Sequence, residues 1–179
     1  MKLRIPYSAA LCLVSVFCLA QSDRAFVLPS DPSAEVISFD VRGGESLPHP
    51  GPLLIIRADG SVRVLGANLP PTPIIIESKI SASQLQSLLR FIINEQNFFG
   101  FNPVAVDGEM RKAQGPKILT DAQDTVIRIH LADREHEVEF HGLLQNARFY
   151  PGIKSLNELL IIQNRLYELK AELRAAGSR

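Results

Sequence analysis

Both cysteines of this 179-residue chain, Cys12 and Cys18, lie close to its amino terminus, inside an apolar stretch. The stretch has the parts of an export leader: Lys2 and Arg4 precede it, and Ala20 supplies the small residue after which a signal peptidase cuts. Removal of this leader leaves a chain without a thiol. Disulfides, zinc–thiolate sites and cysteine nucleophiles are then excluded together, so the fold must be stabilised by packing.

The leader predicts a secreted or periplasmic protein. Its apolar run is shorter than the roughly 20 residues that span a bilayer, so we expect a cleaved signal peptide and no membrane span after its removal. The predicted organisation is a signal peptide at residues 1–20, a flexible tether rich in Pro and Ser at 21–34, and a single domain at 35–179.

The charge balance excludes one class of partner. The chain has 19 basic and 19 acidic residues, and the leader removes Lys2 and Arg4 but no acid, so the remainder is slightly acidic. Nucleic acid binding needs a dense cationic face, and we expect none here. The sequence also lacks a Gly-x-Ser-x-Gly elbow, a Ser-x-x-Lys pair and a glycine-rich phosphate loop, and it predicts no cofactor and no standard catalytic site.

Hydrophobic periodicity predicts an α+β fold, in which an antiparallel sheet of about five strands packs against two helices. The clearest signal is a hairpin at Asp59-Gly60, and a second hairpin is predicted at Asp133-Arg134. Ser81 or Ser83 caps the first predicted helix, and Phe98, Phe99 and Phe101 after it are interpreted as core residues. The predicted strands are 35–42, 53–57, 61–65, 74–80, 125–131 and 136–140, and the predicted helices are 84–94 and 155–175.

A long segment without periodicity, residues 102–124, is predicted to be an irregular loop, and loops of this length are often functional. We expect a protein or a small ligand to bind there. The candidate binding residues are six of its charged side chains: Asp107, Glu109, Arg111, Lys112, Lys117 and Asp121. Its acidic residues match no calcium-loop spacing, so solvated loop carboxylates are the favoured interpretation.

The stretch from His136 to His141 offers an alternative, a metal-dependent hydrolase. The two histidines are five residues apart, whereas a helical zinc motif places them four apart. On a strand, side chains alternate, so Glu137, Glu139 and His141 share one face and form the candidate metal ligands. The competing interpretation, which we favour, is the solvated face of a half-buried strand.

The last predicted helix allows a further alternative, a structural homodimer. Its apolar residues step by three and four, as in a coiled-coil seam. The same stripe is what a helix needs to pack on its own sheet, and that intramolecular use is favoured. The stripe consists of Leu159, Ile162, Leu166, Leu169, Leu173 and Ala176.

Several of these motifs, taken in order, resemble a group of small uncharacterised bacterial secreted or envelope domains. The resemblance rests on the leader, the hairpin Ile56-Arg57-Ala58-Asp59-Gly60, the helix ending in Asn97-Phe98-Phe99, the step Thr120-Asp121-Ala122 and the closing helix, and it covers residues 35–173. These motifs maintain a fold and imply no catalytic residue. The sequence therefore favours an exported, non-catalytic binding domain.

Overall fold

The structure, a computed structural model, describes residues 25–44, 49–67, 73–113 and 119–177. The predicted signal peptide lies outside these ranges, and so does Lys117. The strands are β1 (Glu35–Gly43), β2 (Leu54–Arg57), β3 (Ser61–Ala67), β4 (Ile74–Lys79), β5 (Gln123–His130) and β6 (Glu135–His141). The helices are α1 (Ala82–Arg90), α2 (Pro103–Ala113), α3 (Leu143–Phe149) and α4 (Lys154–Gly177).

The strands form one antiparallel sheet in the order β4-β3-β2-β1-β5-β6. The α+β fold predicted from the sequence is confirmed. The described residues contain six strands, close to the expected five, and each overlaps one of the predicted strand segments. They contain four α-helices, where two were expected. Both predicted hairpins are present, as β2–β3 and β5–β6.

Neighbouring rows of side chains point to opposite faces of the sheet, and the two faces differ in chemistry. A row that crosses all six strands on one face is apolar and includes Phe39, Leu54 and Ile127, each fully buried. The neighbouring row, on the other face, includes Ser38, Arg63 and Arg128. Because side chains alternate along a strand, the apolar face must be covered by other elements, and the helices supply that cover.

Helix α4 contributes the longest part of that cover. Tyr167 packs edge-on against Phe39 of β1, with ring centroids 5.0 Å apart. The buried stripe of α4 consists of Leu156, Leu159, Ile162, Leu166, Leu169 and Leu173. Those residues pack inside a single chain, as favoured from the sequence, whereas Ala176 at the end of the predicted seam is exposed. A homodimer through the stripe would require these side chains, which are buried in the core of one chain, to contact a second subunit as well.

The hairpin between β2 and β3 depends on Gly60. Its φ is +80°, and a Cβ there would run into the carbonyl oxygen of Ile80. Asp59 completes the turn, because its Oδ1 accepts a hydrogen bond from the backbone N–H of Ser61 at 2.8 Å. The backbone angle and the space available therefore require glycine at position 60, and the hydrogen bond favours aspartate at position 59.

Helix α1 begins with a capping box at Ser81. The Ser81 hydroxyl accepts a bond from the N–H of Gln84, and the Gln84 side chain accepts one from the N–H of Ser81. Of the two serines predicted as caps, Ser81 is the cap. The helix continues as a π-helical turn, Phe91–Glu95, closed by the bond from Gln96 N–H to the Phe91 carbonyl.

The prediction of an irregular loop over residues 102–124 is wrong for its first half, which forms α2. Asn102 starts this helix, because its Oδ1 accepts bonds from the N–H groups of Val104 and Ala105 at 3.0 and 3.2 Å. Val106 and Met110, four residues apart, bury the inner face. Residues 114–118 lie outside the described ranges, and 119–122 lead irregularly into β5.

The phenylalanines after α1 pack at the junction of helix and sheet. Phe98 and Phe101 are buried, as predicted, and Phe101 meets Phe140 of β6 edge to face. Phe99 is only partly buried and lies under the guanidinium of Arg134, 4.3 Å from its ring centroid. The cluster therefore joins α1 to the β5–β6 hairpin.

Part of the segment predicted as a tether contacts the domain. Phe26 exchanges two hydrogen bonds with the side chain of Gln86 on α1, at 2.8 and 3.0 Å. The N–H of Ala132 donates to the carbonyl of Val27 at 3.0 Å. Residues 25–28 thus link α1 to the β5–β6 hairpin, a feature that the sequence interpretation of 21–34 did not include.

Replacement of the cap serine should destabilise α1. We expect Ser81→Ala to lower the free energy of unfolding by about 1 kcal/mol, because the N–H of Gln84 loses its acceptor. Ser83→Ala is the matched control, since the Ser83 hydroxyl contacts the Ser81 hydroxyl but forms neither bond of the capping box. Denaturant unfolding measures both variants, and an equal loss in the two would contradict the assignment of the cap.

A charge in the α4 stripe should prevent folding. Leu166 is fully buried, so Leu166→Glu places an unpaired carboxylate in the core and we expect an unfolded chain. Ile161→Glu is the control, because Ile161 lies on the same helix and is 45% exposed. Circular dichroism and light scattering distinguish the outcomes, and a folded monomer from Leu166→Glu would instead support the homodimer.

Candidate ligand-binding groove

A groove of about 480 Å³ lies between the end of α2 and the turn that joins α3 to α4. Glu109, Lys112 and Ala113 line it from α2, and residues 149–153 line it from the other side. We call it the α2 groove. Its α2 wall belongs to the first half of residues 102–124, the segment in which the sequence predicts a binding site.

The turn that forms one wall of the α2 groove is fixed by hydrogen bonds. Asn157 of α4 donates from Nδ2 to the carbonyl of Pro151 at 2.9 Å and to that of Ile153 at 3.2 Å. Tyr150 and Ile153 are buried, whereas Phe149 is 47% exposed. The wall therefore presents an accessible aromatic ring on a fixed backbone.

The structure brings two of the sequence-predicted binding residues together at this groove, Glu109 and Lys112. Asp107 and Arg111 are exposed on α2 but do not line the groove. Asp121 lies apart from it, on the turn before β5, where its Oδ2 is 3.5 Å from the Thr120 hydroxyl. The six candidates are thus not one constellation, and Lys117 is outside the described residues.

Sequence reasoning missed the other wall of the groove. Phe149, Tyr150 and Ile153 lie 40 to 44 positions further along the chain than Glu109, and α3 itself was not predicted. A local signal was present, because Pro151-Gly152 marks a turn. It indicates a break between two helices, but it does not indicate that α2 lies opposite that break.

The alternative metal ligands lie where the alternation of β6 predicts. Glu137, Glu139 and His141 are exposed, and Val138 and Phe140 between them are buried. His141 is 53% exposed and is engaged at both ring nitrogens: Nδ1 lies 2.7 Å from Oδ1 of Asp124, and Nε2 lies 3.2 Å from the carbonyl oxygen of Leu119.

These contacts raise the pKa of His141, first through the hydrogen bond to Asp124 and then through the bond to the Leu119 carbonyl. An imidazolium ring can donate from both nitrogens, so the protonated form of His141 satisfies both contacts at once. A metal would have to displace them. Among the described residues, no group of three or more His, Cys, Asp and Glu side chains is arranged to hold a metal ion.

Both ring nitrogens of a second histidine, His49, also contact oxygen atoms. Its Nδ1 lies 2.7 Å from the Gly51 carbonyl oxygen, and its Nε2 lies 3.2 Å from the Val41 carbonyl and 3.4 Å from Oδ1 of Asp40. Asp40 is only 2% exposed and also accepts a bond from Nε of Arg42 at 2.7 Å. Neither Asp–His pair therefore offers an imidazole nitrogen to a nucleophile.

Another groove, of about 410 Å³, lies between α1 and α4. Its apolar lining includes Leu88, Phe91 and Leu169. Arg165 at this groove is already paired with Glu168 and Glu172, at 3.3 and 3.2 Å, so an acidic ligand would compete with two carboxylates of the same helix.

Comparison with protein-family models, with curated proteins and with solved structures finds no match. The resemblance to bacterial envelope domains therefore stays a prediction. In addition, no helix in the described ranges has the length and apolarity needed to span a membrane.

The contact with Asp124 should be measurable in the titration of His141. We expect a pKa above 6.5, and we expect Asp124→Asn to lower it. The stability contributed by this contact is fully present below the unfolded pKa and is lost as the pH rises through the folded pKa. Because His141 is half exposed, the contribution stays below about 1 kcal/mol.

An NMR titration of the histidine ring protons measures this pKa, with His141→Gln to assign the signal. Asp121→Asn is the matched control, since Asp121 is a nearby exposed carboxylate without a hydrogen bond to His141. A His141 pKa that Asp124→Asn leaves unchanged would contradict the assigned contact.

Proposed function

We propose that this protein is an exported, non-catalytic domain, secreted or periplasmic, that binds a short segment of a partner protein in the α2 groove. The observation that supports it is the meeting of Glu109 and Lys112 with the half-exposed ring of Phe149 in one groove. The bound segment would carry an apolar side chain for Phe149 and charged groups for the two α2 side chains.

The chemistry of the groove favours a peptide. An exposed aromatic ring on a fixed backbone provides contact area at low entropic cost, which is typical of binding surfaces. Glu109 and Lys112 have opposite charges, so they determine the direction of a bound peptide more than they increase its affinity. A segment that places its own charges in the reverse order satisfies both.

The state of the histidines supports a role without catalysis. Both nitrogens of His49 and of His141 face oxygen acceptors, and the sequence contains no standard nucleophile motif. A hydrolase centred on Glu137, Glu139 and His141 would need His141 to release Asp124 and Leu119 first.

The proposal of export rests on the sequence. Residues 1–20 have the charge and apolar pattern of a signal peptide, and the remainder has no thiol to be oxidised outside the cytoplasm. The resemblance to bacterial secreted or envelope domains is part of the same proposal.

Selection from a phage-displayed library of short peptides tests the groove directly. We expect enriched peptides that carry an apolar residue beside charged ones, and we expect Phe149→Ala to weaken their binding by about tenfold, because the accessible ring is lost. Lys112→Glu should weaken the binding of peptides that carry an acidic residue. Fluorescence anisotropy with a labelled selected peptide gives the dissociation constants.

Arg111→Glu is the matched control for Lys112→Glu, because it reverses the same charge one position earlier on α2, outside the groove. It should leave binding within the error of the measurement. The proposal fails if peptides bind equally to the protein and to Phe149→Ala, or if only a small non-peptide molecule occupies the groove.

A further inference from the structure

A second cavity, of about 280 Å³, lies where the start of β5, α3 and the middle of α4 meet. It is separate in its residues from the α2 groove. Its polar lining consists of Gln123, Thr125, Gln145, Gln163, Asn164 and Tyr167, and Leu143 and Leu144 complete it. We call it the uncharged pocket.

The lining of the uncharged pocket carries no formal charge. Four of its side chains are carboxamides, one is a hydroxyl and one is a phenol. Burial raises the pKa of Tyr167, and the charge of Asp40 raises it further, so the phenol stays protonated and able to donate. A charged ligand would lose its hydration here without meeting an opposite charge in the lining.

Two contacts fix the positions of side chains that line the pocket. Thr125, which is 3% exposed, donates from its hydroxyl to Oε1 of Gln163 at 2.6 Å. The ring of Tyr167 stands edge-on against the fully buried Phe39. Both contacts connect the pocket to the core of the sheet, so its lining does not have to be ordered by a ligand.

Much of the hydrogen-bonding capacity of the lining is not used within the protein. Gln145 and Asn164 have no side-chain hydrogen bond to another described residue. The same holds, within the described ranges, for Nε2 of Gln163 and for the hydroxyl of Tyr167. These groups provide donors and acceptors together, since a carboxamide offers both.

We propose that the uncharged pocket binds a single neutral sugar ring. Sugar hydroxyls donate and accept at the same time, which matches carboxamides and a phenol. The C–H groups of a sugar suit the exposed apolar surfaces of Leu144 and the Tyr167 ring. The volume admits one ring, and this site goes beyond the peptide binding proposed for the α2 groove.

The test titrates the purified ¹⁵N-labelled protein with glucose and with N-acetylglucosamine, followed by heteronuclear NMR. Glucuronate and glucosamine serve as charged analogues of the same ring. We expect saturable shifts of the backbone signals near residues 123–125, 143–145 and 163–167 with at least one neutral sugar. The charged analogues should bind more weakly, because the lining offers no counter-charge.

Asn164→Ala and Gln145→Ala probe the pocket without disturbing the core, since neither residue is buried. Each should raise the dissociation constant roughly two- to tenfold, the effect of one neutral hydrogen bond. Asn94→Ala is the matched control, because Asn94 is an exposed helical asparagine outside the pocket, and it should leave affinity unchanged.

Three results would overturn the proposal: no saturable shifts with either neutral sugar, equal binding of the charged analogues, or an equal effect of Asn94→Ala and Asn164→Ala. Because Phe149→Ala and Lys112→Glu alter only the α2 groove, failure of one proposal does not imply failure of the other.

Discussion

The chemical difference between the two faces of the sheet is the constraint on which the rest of the structure depends. The apolar row runs through Ile76, Val64, Leu54, Phe39, Ile127 and Val138, one residue from each strand. A shift of one residue in any strand would move its core side chain to the polar face. The register and the helical cover are therefore specified together, and both proposed binding sites lie against helices that provide this cover.

The sequence predicts those elements whose signals are local. Asp59-Gly60 specifies a turn by its own chemistry, and the leucine stripe of α4 follows from its spacing alone. Helix α2 was not predicted because only Val106 and Met110 on it are buried. With Gly108 and four charged residues on the same helix, these two residues give no clear hydrophobic periodicity. Its start signal, Asn102 followed by Pro103, was nevertheless present.

The binding sites could be predicted only in part, because each is assembled from distant segments. Alternation on β6 correctly predicts that Glu137, Glu139 and His141 share a face. It gives no information about Leu119, whose carbonyl oxygen occupies one nitrogen of His141. In the same way, Glu109 and Lys112 were identified as candidates, whereas Phe149 became relevant only once α3 was placed beside α2.

Helix α3 is the element that the two proposed sites share. Its first residues, Leu143 to Gln145, line the uncharged pocket, and its last residue, Phe149, lines the α2 groove. The buried Asn146 between them donates from Nδ2 to the carbonyl of His141 at 3.0 Å, which anchors the helix to the end of β6. A helix of seven residues has little stability of its own, so this anchor and the packing on α4 must set its position. The geometry of both sites therefore depends on one short helix.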